Sequence, residues 1–304
     1  MRYQRLGTTD LSVSSIGLGC VTFGREIDEA TAYTIMDRAL AAGITLFDTA
    51  EVYGGAPGRS EEIVGRWLLA RGVRPQIVLA TKVRPPLGRE RVIASAEASL
   101  RRLQVEAIDL FQMHAWDGQT PLDETLAALD HLTQQGKVRH VGFSNCAAWQ
   151  LCKALWHQER AGWGRLASVQ PPYNLVVREI ERELLPLCAD QQVGVLAYSP
   201  LGSGFLTGKY RPGGEIPKGT RMDVVPGTIP SYFHDAGFRI VAGLRSKAEQ
   251  IGAPTPALAL AWVMAEPRVT SVLIGARSAA QIDQALHADA LGISAELRAE
   301  LSAL

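Results

Sequence analysis

Short apolar runs alternate with longer stretches in which apolar residues recur every three or four positions along most of this chain. The first pattern is typical of buried strands in a parallel sheet, and the second is typical of amphipathic helices that cover such a sheet. We predict eight strands, at residues 15–20, 44–48, 77–82, 108–114, 138–143, 168–170, 193–197 and 269–274. A helical pattern follows each strand, which indicates eight βα units.

The predicted helices have recognisable starts. Helical patterns begin near residues 28, 60 and 278 and cover residues 89–103, 120–135, 147–159, 179–190, 235–251 and 255–265. Thr120 and Pro121 suit the N-cap and first position of one helix. Ser278 and Gln281 have the spacing of a capping box at the start of another.

Two segments fall outside this alternation. Residues 1–15 alternate weakly around a turn at residues 7–10, which predicts a short hairpin ahead of the main body. Residues 199–231, after the seventh strand, are rich in Gly and Pro, and we predict a long loop without regular structure. Loops of that length are usually functional.

Eight strand–helix pairs without a break in composition favour a single (β/α)8 TIM barrel domain over residues 1–304, with the hairpin at its start. A doubly wound open sheet remains the alternative. An open dinucleotide-binding sheet needs the motif GxGxxG directly after its first strand, and residues 17–22 lack the third glycine. The barrel is therefore the favoured fold.

Composition narrows the class of function. The chain has 304 residues, 47% of them hydrophobic, and its 31 basic and 31 acidic residues give a net charge of zero. Nucleic acid is an unexpected partner, because there is no basic surplus to neutralise phosphates. The four cysteines have no metal-binding spacing, and no apolar run has the length of a signal peptide or membrane span. We expect a soluble cytoplasmic protein.

Polar side chains follow three consecutive predicted strands. Asp48, Lys82 and His114 each stand at a strand end, and Tyr53 comes five residues after Asp48. The carboxyl ends of barrel strands meet at one rim, where catalytic groups collect. Each residue alone has an ordinary structural explanation, as a cap, a loop aromatic, a solvated lysine or a core histidine. Their coincidence favours a shared site.

These four residues together suit proton transfer to a carbonyl oxygen. A phenol has a pKa of about 10, and an adjacent ammonium such as that of Lys82 is expected to lower the pKa of Tyr53. Asp48 would keep Lys82 charged, while His114 would hydrogen-bond the substrate oxygen or share the proton. Because no side chain carries hydride, reduction implies a nicotinamide cofactor.

The chain also resembles the aldo-keto reductase family over nearly its whole length. The resemblance rests on residues 17–19 (GLG), 48–54 (DTAEVYG), 81–82 (TK), 112–114 (QMH), 136–145 (GKVRHVGFSN), 170–174 (QPPYN), 198–202 (YSPLG), 206–210 (LTGKY) and 274–277 (IGAR). It implies a barrel that binds NADPH in an extended pose and reduces an aldehyde or ketone. Asp48, Tyr53, Lys82 and His114 match the family's catalytic four, with Tyr53 as the general acid.

The resemblance also implies a set of cofactor contacts, and Arg277 favours NADP because a guanidinium suits a 2′-phosphate. By position, these contacts are Ser144, Asn145 and Gln170 for the carboxamide, Tyr198 for the nicotinamide ring, Ser199, Pro200, Leu201, Gly202, Ser203, Gly204 and Lys209 for the pyrophosphate, and Arg221, Gly275, Arg277 and Gln281 for the adenosine end. For Gln281, capping and cofactor roles compete evenly.

We predict that Val21, Trp116, Tyr232 and Phe233 line an apolar pocket for the carbonyl substrate. One alternative is a nicotinamide-binding regulatory protein with little turnover, as the beta subunits of potassium channels in this family are. A metal-dependent barrel hydrolase is a weaker alternative and no metal is expected, because of the six histidines only His114 stands at a strand end. No pattern points to a particular oligomeric state.

Overall fold

Eight parallel strands close into a barrel in the computed structural model, which describes residues 1–304. Ten strands are present, at β1 Tyr3–Arg5, β2 Ser12–Ser14, β3 Ile16–Gly19, β4 Leu46–Asp48, β5 Val78–Val83, β6 Ile108–Met113, β7 Val138–Ser144, β8 Leu166–Gln170, β9 Gly194–Tyr198 and β10 Ser271–Gly275. The strand order β10-β3-β4-β5-β6-β7-β8-β9 closes on itself. The predicted (β/α)8 barrel is confirmed, and the open sheet is excluded.

Helices surround the barrel. Their bounds are α1 Glu29–Ala41, α2 Arg59–Arg71, α3 Arg89–Leu103, α4 Leu122–Gln134, α5 Ala148–Ala161, α6 Leu184–Asp190, α7 Arg221–Val224, α8 Asp235–Gln250, α9 Thr255–Met264, α10 Ala279–Leu291 and α11 Ala295–Ser302. Buried apolar faces pack them against the strands in one large cluster that includes Ile35, Trp67 and Leu129. None of these helices is long and apolar enough to cross a bilayer.

The predicted N-terminal hairpin is confirmed, since β1 and β2 pair as an antiparallel sheet. Leu6, Leu11 and Val13 from this hairpin join a separate apolar cluster with inward residues of the barrel strands, such as Leu46 and Leu110. These residues exclude water from the amino-terminal end of the barrel. The carboxyl-terminal end is left for the candidate site.

Two predicted helix starts are wrong in detail. Pro121 occupies the N-cap position of α4, and the hydroxyl of Thr120 donates to Asp117 Oδ2 at 2.7 Å instead of capping the helix. At α10, the side chain of Gln281 accepts from the backbone N–H of Arg277 at 2.7 Å, and Ser278 makes no side-chain cap. The capping box is therefore absent.

The segment after β9 is more ordered than predicted. Residues 199–231 contain 3-10 helices at Phe205–Thr207 and Pro226–Ser231 as well as the short helix α7. Phe205 packs against Tyr210, Tyr232 and Phe238, so an aromatic cluster fixes the segment. The prediction of a loop without regular structure was wrong because this local apolar cluster supplies the packing that its Gly and Pro content does not suggest.

Candidate active site

Strand register brings the predicted polar residues to one rim. Gly19 pairs with Asp48, and Lys82 pairs with Gln112, at the carboxyl ends of their strands. His114 continues the same edge, because its backbone N–H donates to Val83 at 2.8 Å. A cleft of about 570 Å³ opens above this rim. Asp48, Tyr53 and His114 line it.

Lys82 lies beneath the cleft and connects two of the predicted catalytic residues. Its ammonium is fully buried, with Nζ 2.5 Å from Asp48 Oδ2 and 2.9 Å from the carbonyl of Thr49. The same Nζ lies 3.4 Å from the hydroxyl of Tyr53. The other oxygen of Asp48 accepts from Gln170 at 2.9 Å and from Gln112 at 3.2 Å. The carboxylate is therefore held on both sides.

The pKa of Tyr53 differs in direction from the sequence-based expectation. Burial of the phenol raises its pKa, and although Lys82 acts in the opposite sense, Asp48 offsets part of that effect. The pKa of Tyr53 therefore lies above its ordinary value, because burial together with the charge of Asp48 outweighs the effect of Lys82. Burial alone would lower the pKa of Lys82, but the charges of Asp48 and Tyr53 outweigh it and raise that pKa.

His114 is neutral at physiological pH. Burial lowers its pKa to about 3, and the positive charges of Lys82 and Arg84 add to the effect. Its ring lies edge-on to Tyr53, with the centroids 5.7 Å apart, and its Nδ1 has no hydrogen-bond partner. A neutral imidazole can donate one hydrogen bond and accept another. His114 is therefore suited to hold an oxygen atom rather than to supply a proton.

The residues predicted to hold the nicotinamide carboxamide form one network beside this cluster. Ser144 Oγ donates to the carbonyl of Gln170 at 2.8 Å, and Asn145 Nδ2 donates to the carbonyl of His114 at 2.8 Å. The hydroxyl of Tyr198 donates to Asn145 Oδ1 at 2.7 Å. All five residues line the cleft. Tertiary structure thus brings the ends of β6, β7, β8 and β9 together.

The segment predicted to wrap a pyrophosphate forms one wall of the cleft. Ser199, Gly202, Ser203 and Gly204 all have left-handed backbone conformations. The backbone N–H groups of Leu201 and Ser203 make no hydrogen bond within the chain, and both residues line the cleft. Pro200 lines the same wall. Free backbone N–H groups in such turns bind anions well.

Two cations without acidic partners lie close enough to repel each other at this part of the cleft. Neither Lys209 nor Arg277 takes part in any of the ion pairs of the structure, and both line the cleft. Partial burial and the charge of Arg277 lower the pKa of Lys209. A Cβ atom on Gly204 would lie only 2.9 Å from Lys209 Nζ, so the ammonium rests against the left-handed turn. An anion between these groups would relieve their mutual repulsion.

An ion pair joins the two sides of the cleft near the predicted adenosine end. Arg221, from α7, binds Glu26 with Nη1 2.9 Å from Oε1, and Glu26 also pairs with Arg25 at 2.7 Å. Arg277 donates to the carbonyl of Gly219 in the same segment. The other predicted residues of this end, Gly275 and Gln281, also line the cleft.

The four residues predicted to line a substrate pocket divide into two groups. Val21 lines the cleft, whereas Trp116, Tyr232 and Phe233 are not among its lining residues. Trp116 stacks on Phe143 with the centroids 5.9 Å apart. Tyr232, which is buried, and Phe233, which is half-buried, pack against Phe205 in the aromatic cluster instead.

Sequence reasoning did not single out several residues that reach the site. Glu26 and Arg84 line the cleft, and the buried carboxylate of Glu51 lies directly behind it. Arg84 stands two residues after Lys82, so its distance from a predicted catalytic residue was a signal that could have identified it. No group of three or more His, Cys, Asp or Glu side chains is placed to hold a metal ion.

The fold and the site define a (β/α)8 barrel in which a buried Asp–Lys ion pair, a tyrosine and a neutral histidine lie at one end of a long cleft. The sequence model of the aldo/keto reductase family matches residues 15–304. The chain therefore belongs to the aldo/keto reductase family, as its motifs predicted.

The chain is similar to proteins named as oxidoreductases and to one named as a probable channel subunit. The chain is 36% identical to the uncharacterized oxidoreductase YrpG of Bacillus subtilis, covering 98% of this chain and 94% of the relative. It is 34% identical to a probable voltage-gated potassium channel subunit beta of Arabidopsis thaliana, over 95% and 91% of the two chains. It is also 34% identical to L-glyceraldehyde 3-phosphate reductase of Escherichia coli K12, over 95% and 87%.

Proposed function

We propose that this protein is an NADPH-dependent reductase of aldehydes or ketones. The observation that carries the proposal is the contact of one buried ammonium, that of Lys82, with both Asp48 and the hydroxyl of Tyr53, beside a neutral His114. The reaction adds hydride to the carbonyl carbon and one proton to its oxygen, giving the alcohol and NADP⁺. Oxidoreductases of the same family are among its relatives.

The cleft suits a nicotinamide dinucleotide. Its wall offers the unpaired N–H groups of Leu201 and Ser203 and the cations Lys209 and Arg277 to phosphates, and Ser144, Asn145 and Gln170 offer polar groups to a carboxamide. When bound there, the cofactor supplies the hydride. Arg277, a cation without an acidic partner at the predicted adenosine end, favours the extra phosphate of NADP over NAD.

The four side chains at the catalytic end have different roles in the transfer of the proton. Tyr53 keeps its proton at neutral pH because its pKa is raised, and it donates that proton to the carbonyl oxygen as the oxygen becomes a far more basic alkoxide. The N–H of neutral His114 donates a hydrogen bond that positions this oxygen. Lys82 stabilises the phenolate left on Tyr53 until solvent returns the proton. Asp48 keeps Lys82 charged and oriented.

Turnover with and without the phenol tests the proposal. Wild-type protein is expected to oxidise NADPH in the presence of simple aldehydes, and Tyr53→Phe to lower kcat by about 10²- to 10⁴-fold, the contribution of a general acid. NADPH binding, followed by fluorescence titration, should survive in the variant. Equal turnover by Tyr53→Phe would sink the mechanism.

A second function has one specific observation in its favour, the likeness to a probable potassium channel subunit beta. In that case the same cleft would hold nicotinamide nucleotide as a regulatory signal. Tight NADPH binding without oxidation across aldehydes, ketones, quinones and sugars would favour it. Because the Asp48–Lys82–Tyr53 cluster is complete, we place the reductase first.

We also propose the cytoplasm as its location, since all four cysteines are free thiols.

A further inference from the structure

Arg84 is a cation in the cleft that the proposed mechanism does not use. It lines the cleft together with Tyr53 and His114, and it takes part in none of the ion pairs of the structure. Its place two residues after Lys82 puts it at the catalytic end. The cations assigned above to the cofactor, Lys209 and Arg277, are carried instead by the segment after β9 and by the end of β10.

The backbone that carries Arg84 is fixed on both sides. Its N–H donates to Glu51 Oε1 at 2.9 Å, and the carbonyl of the preceding residue, Val83, accepts from the N–H of His114 at 2.8 Å. Glu51 is itself buried, and its carboxylate oxygens are already hydrogen-bonded, since Arg91 and Ser95 each donate to it at 2.6 Å. Glu51 therefore holds the chain at Arg84 while its charge is matched by Arg91. The guanidinium of Arg84 is left free.

Neither carboxylate that lines the cleft is free to pair with this guanidinium. Asp48 is paired with Lys82, and Glu26 is paired with Arg25 and Arg221. The positive charge of Arg84 does reach the reacting centre, since it contributes, after burial and Lys82, to the lowered pKa of His114. Arg84 thus adds positive charge beside the position proposed for the substrate oxygen.

We infer that Arg84 is a specificity-determining residue that binds an anionic group, a carboxylate or a phosphate, on the carbonyl substrate. This inference rests on the proposed reductase function and names the class of substrate for the same site. A guanidinium binds either anion through paired N–H donors. With the anion held by Arg84, the aldehyde end of a short substrate is directed to Tyr53 and His114.

Two pairs of aldehydes, in each of which one member carries an anionic group and the other does not, test the inference. The carboxylate pair is 4-formylbenzoate and its methyl ester, and the phosphate pair is glycolaldehyde phosphate and glycolaldehyde. For wild-type protein we expect kcat/KM for the anionic member to exceed that for the neutral member by about tenfold, the scale of one charge-assisted hydrogen bond. A preference in either pair supports the inference and identifies which anion the site accepts.

Variants assign the preference to Arg84. Arg84→Gln should remove most of the anionic-to-neutral ratio and Arg84→Glu should invert it. Arg89→Gln should leave the ratio unchanged, because Arg89 is an exposed arginine at the start of α3 that does not line the cleft. A wild-type ratio near one, or a ratio unchanged in Arg84→Gln, would overturn the inference while leaving the reductase intact. If neither these four aldehydes nor the wider panel of aldehydes, ketones, quinones and sugars leads to oxidation of NADPH, the proposed function is overturned, and this inference with it.

Discussion

Lys82 and Asp48 form an ion pair that is almost completely removed from solvent, with side-chain exposures of 0% and 4% and Nζ 2.5 Å from Oδ2. Taking two charges out of water is costly, and such a pair is kept only where the geometry and further hydrogen bonds compensate. Here the carbonyl of Thr49 and the amides of Gln112 and Gln170 provide them. We therefore predict the effect of removing the charge of Asp48 from this pair.

Asp48→Asn is expected to weaken catalysis without abolishing it, by about 10- to 100-fold in kcat, less than a lost general acid. Without its partner, the buried ammonium of Lys82 loses the charge that raises its pKa, so the basic limb of the kcat profile should move to lower pH. The measurement is kcat against pH. Asp109→Asn provides the control, since Asp109 is equally buried but pairs with Arg74 at the other end of the barrel. The role of Asp48 is contradicted if its variant keeps the wild-type profile.

His114 should make the folded protein less stable as pH falls. Above pH 6.5 the imidazole is neutral in both states, but below it the unfolded chain gains a proton that the folded protein, with a pKa of about 3, does not take up. Relative to His114→Gln, the free energy of unfolding should therefore fall by up to about 1.4 kcal/mol per pH unit between pH 6.5 and 3. Urea unfolding across this range measures it. Parallel pH curves for the two proteins would show that His114 is not protected from protonation.

Arg277→Gln should selectively weaken the binding of NADPH. The guanidinium has no acidic partner in the protein, so a 2′-phosphate would be its natural counterion. Losing a charge-assisted contact of this kind costs about 10- to 100-fold in Kd. Fluorescence titrations with NADPH and NADH should show a loss for NADPH only. Arg101→Gln, an exposed arginine on α3, is the matched control. A loss of equal size for both cofactors would contradict the assignment.

Glu26→Gln should accelerate the release of cofactor. Glu26 has a side chain that is only 6% exposed and joins the loop after β3 to α7 through Arg221, across the cleft. Removing its charge leaves the guanidinium unpaired and weakens this connection, so the off-rate of NADP(H) in stopped-flow displacement should rise several-fold. Glu62→Gln breaks an exposed ion pair on α2 and should not change that rate. An off-rate that Glu26→Gln leaves unchanged would argue against a bridging role.

The sequence by itself determined the barrel and the position of its reactive residues. Alternation of short apolar runs and helical periods is a local property, so it predicted the eight strands and matched α3 at residues 89–103. Because parallel strands must present their carboxyl ends at one rim, the placement of Asp48, Lys82 and His114 followed from strand ends alone. The predicted caps at Thr120 and Ser278 were wrong, because neighbouring side chains compete for the same polar groups.

Only the tertiary structure decided the pKa shifts, the burial and the ion pairs of these residues. The raised pKa of Tyr53 depends on burial and on how far Asp48 neutralises Lys82, and the burial of Tyr232 depends on packing against Phe205. The ion pair of Glu26 with Arg221 joins residues 195 positions apart. The unpaired charge of Arg84 likewise depends on the pairing of Asp48, Glu51 and Glu26 with other cations. Charge and desolvation are properties of the whole packed environment, and no local pattern of residues contains them.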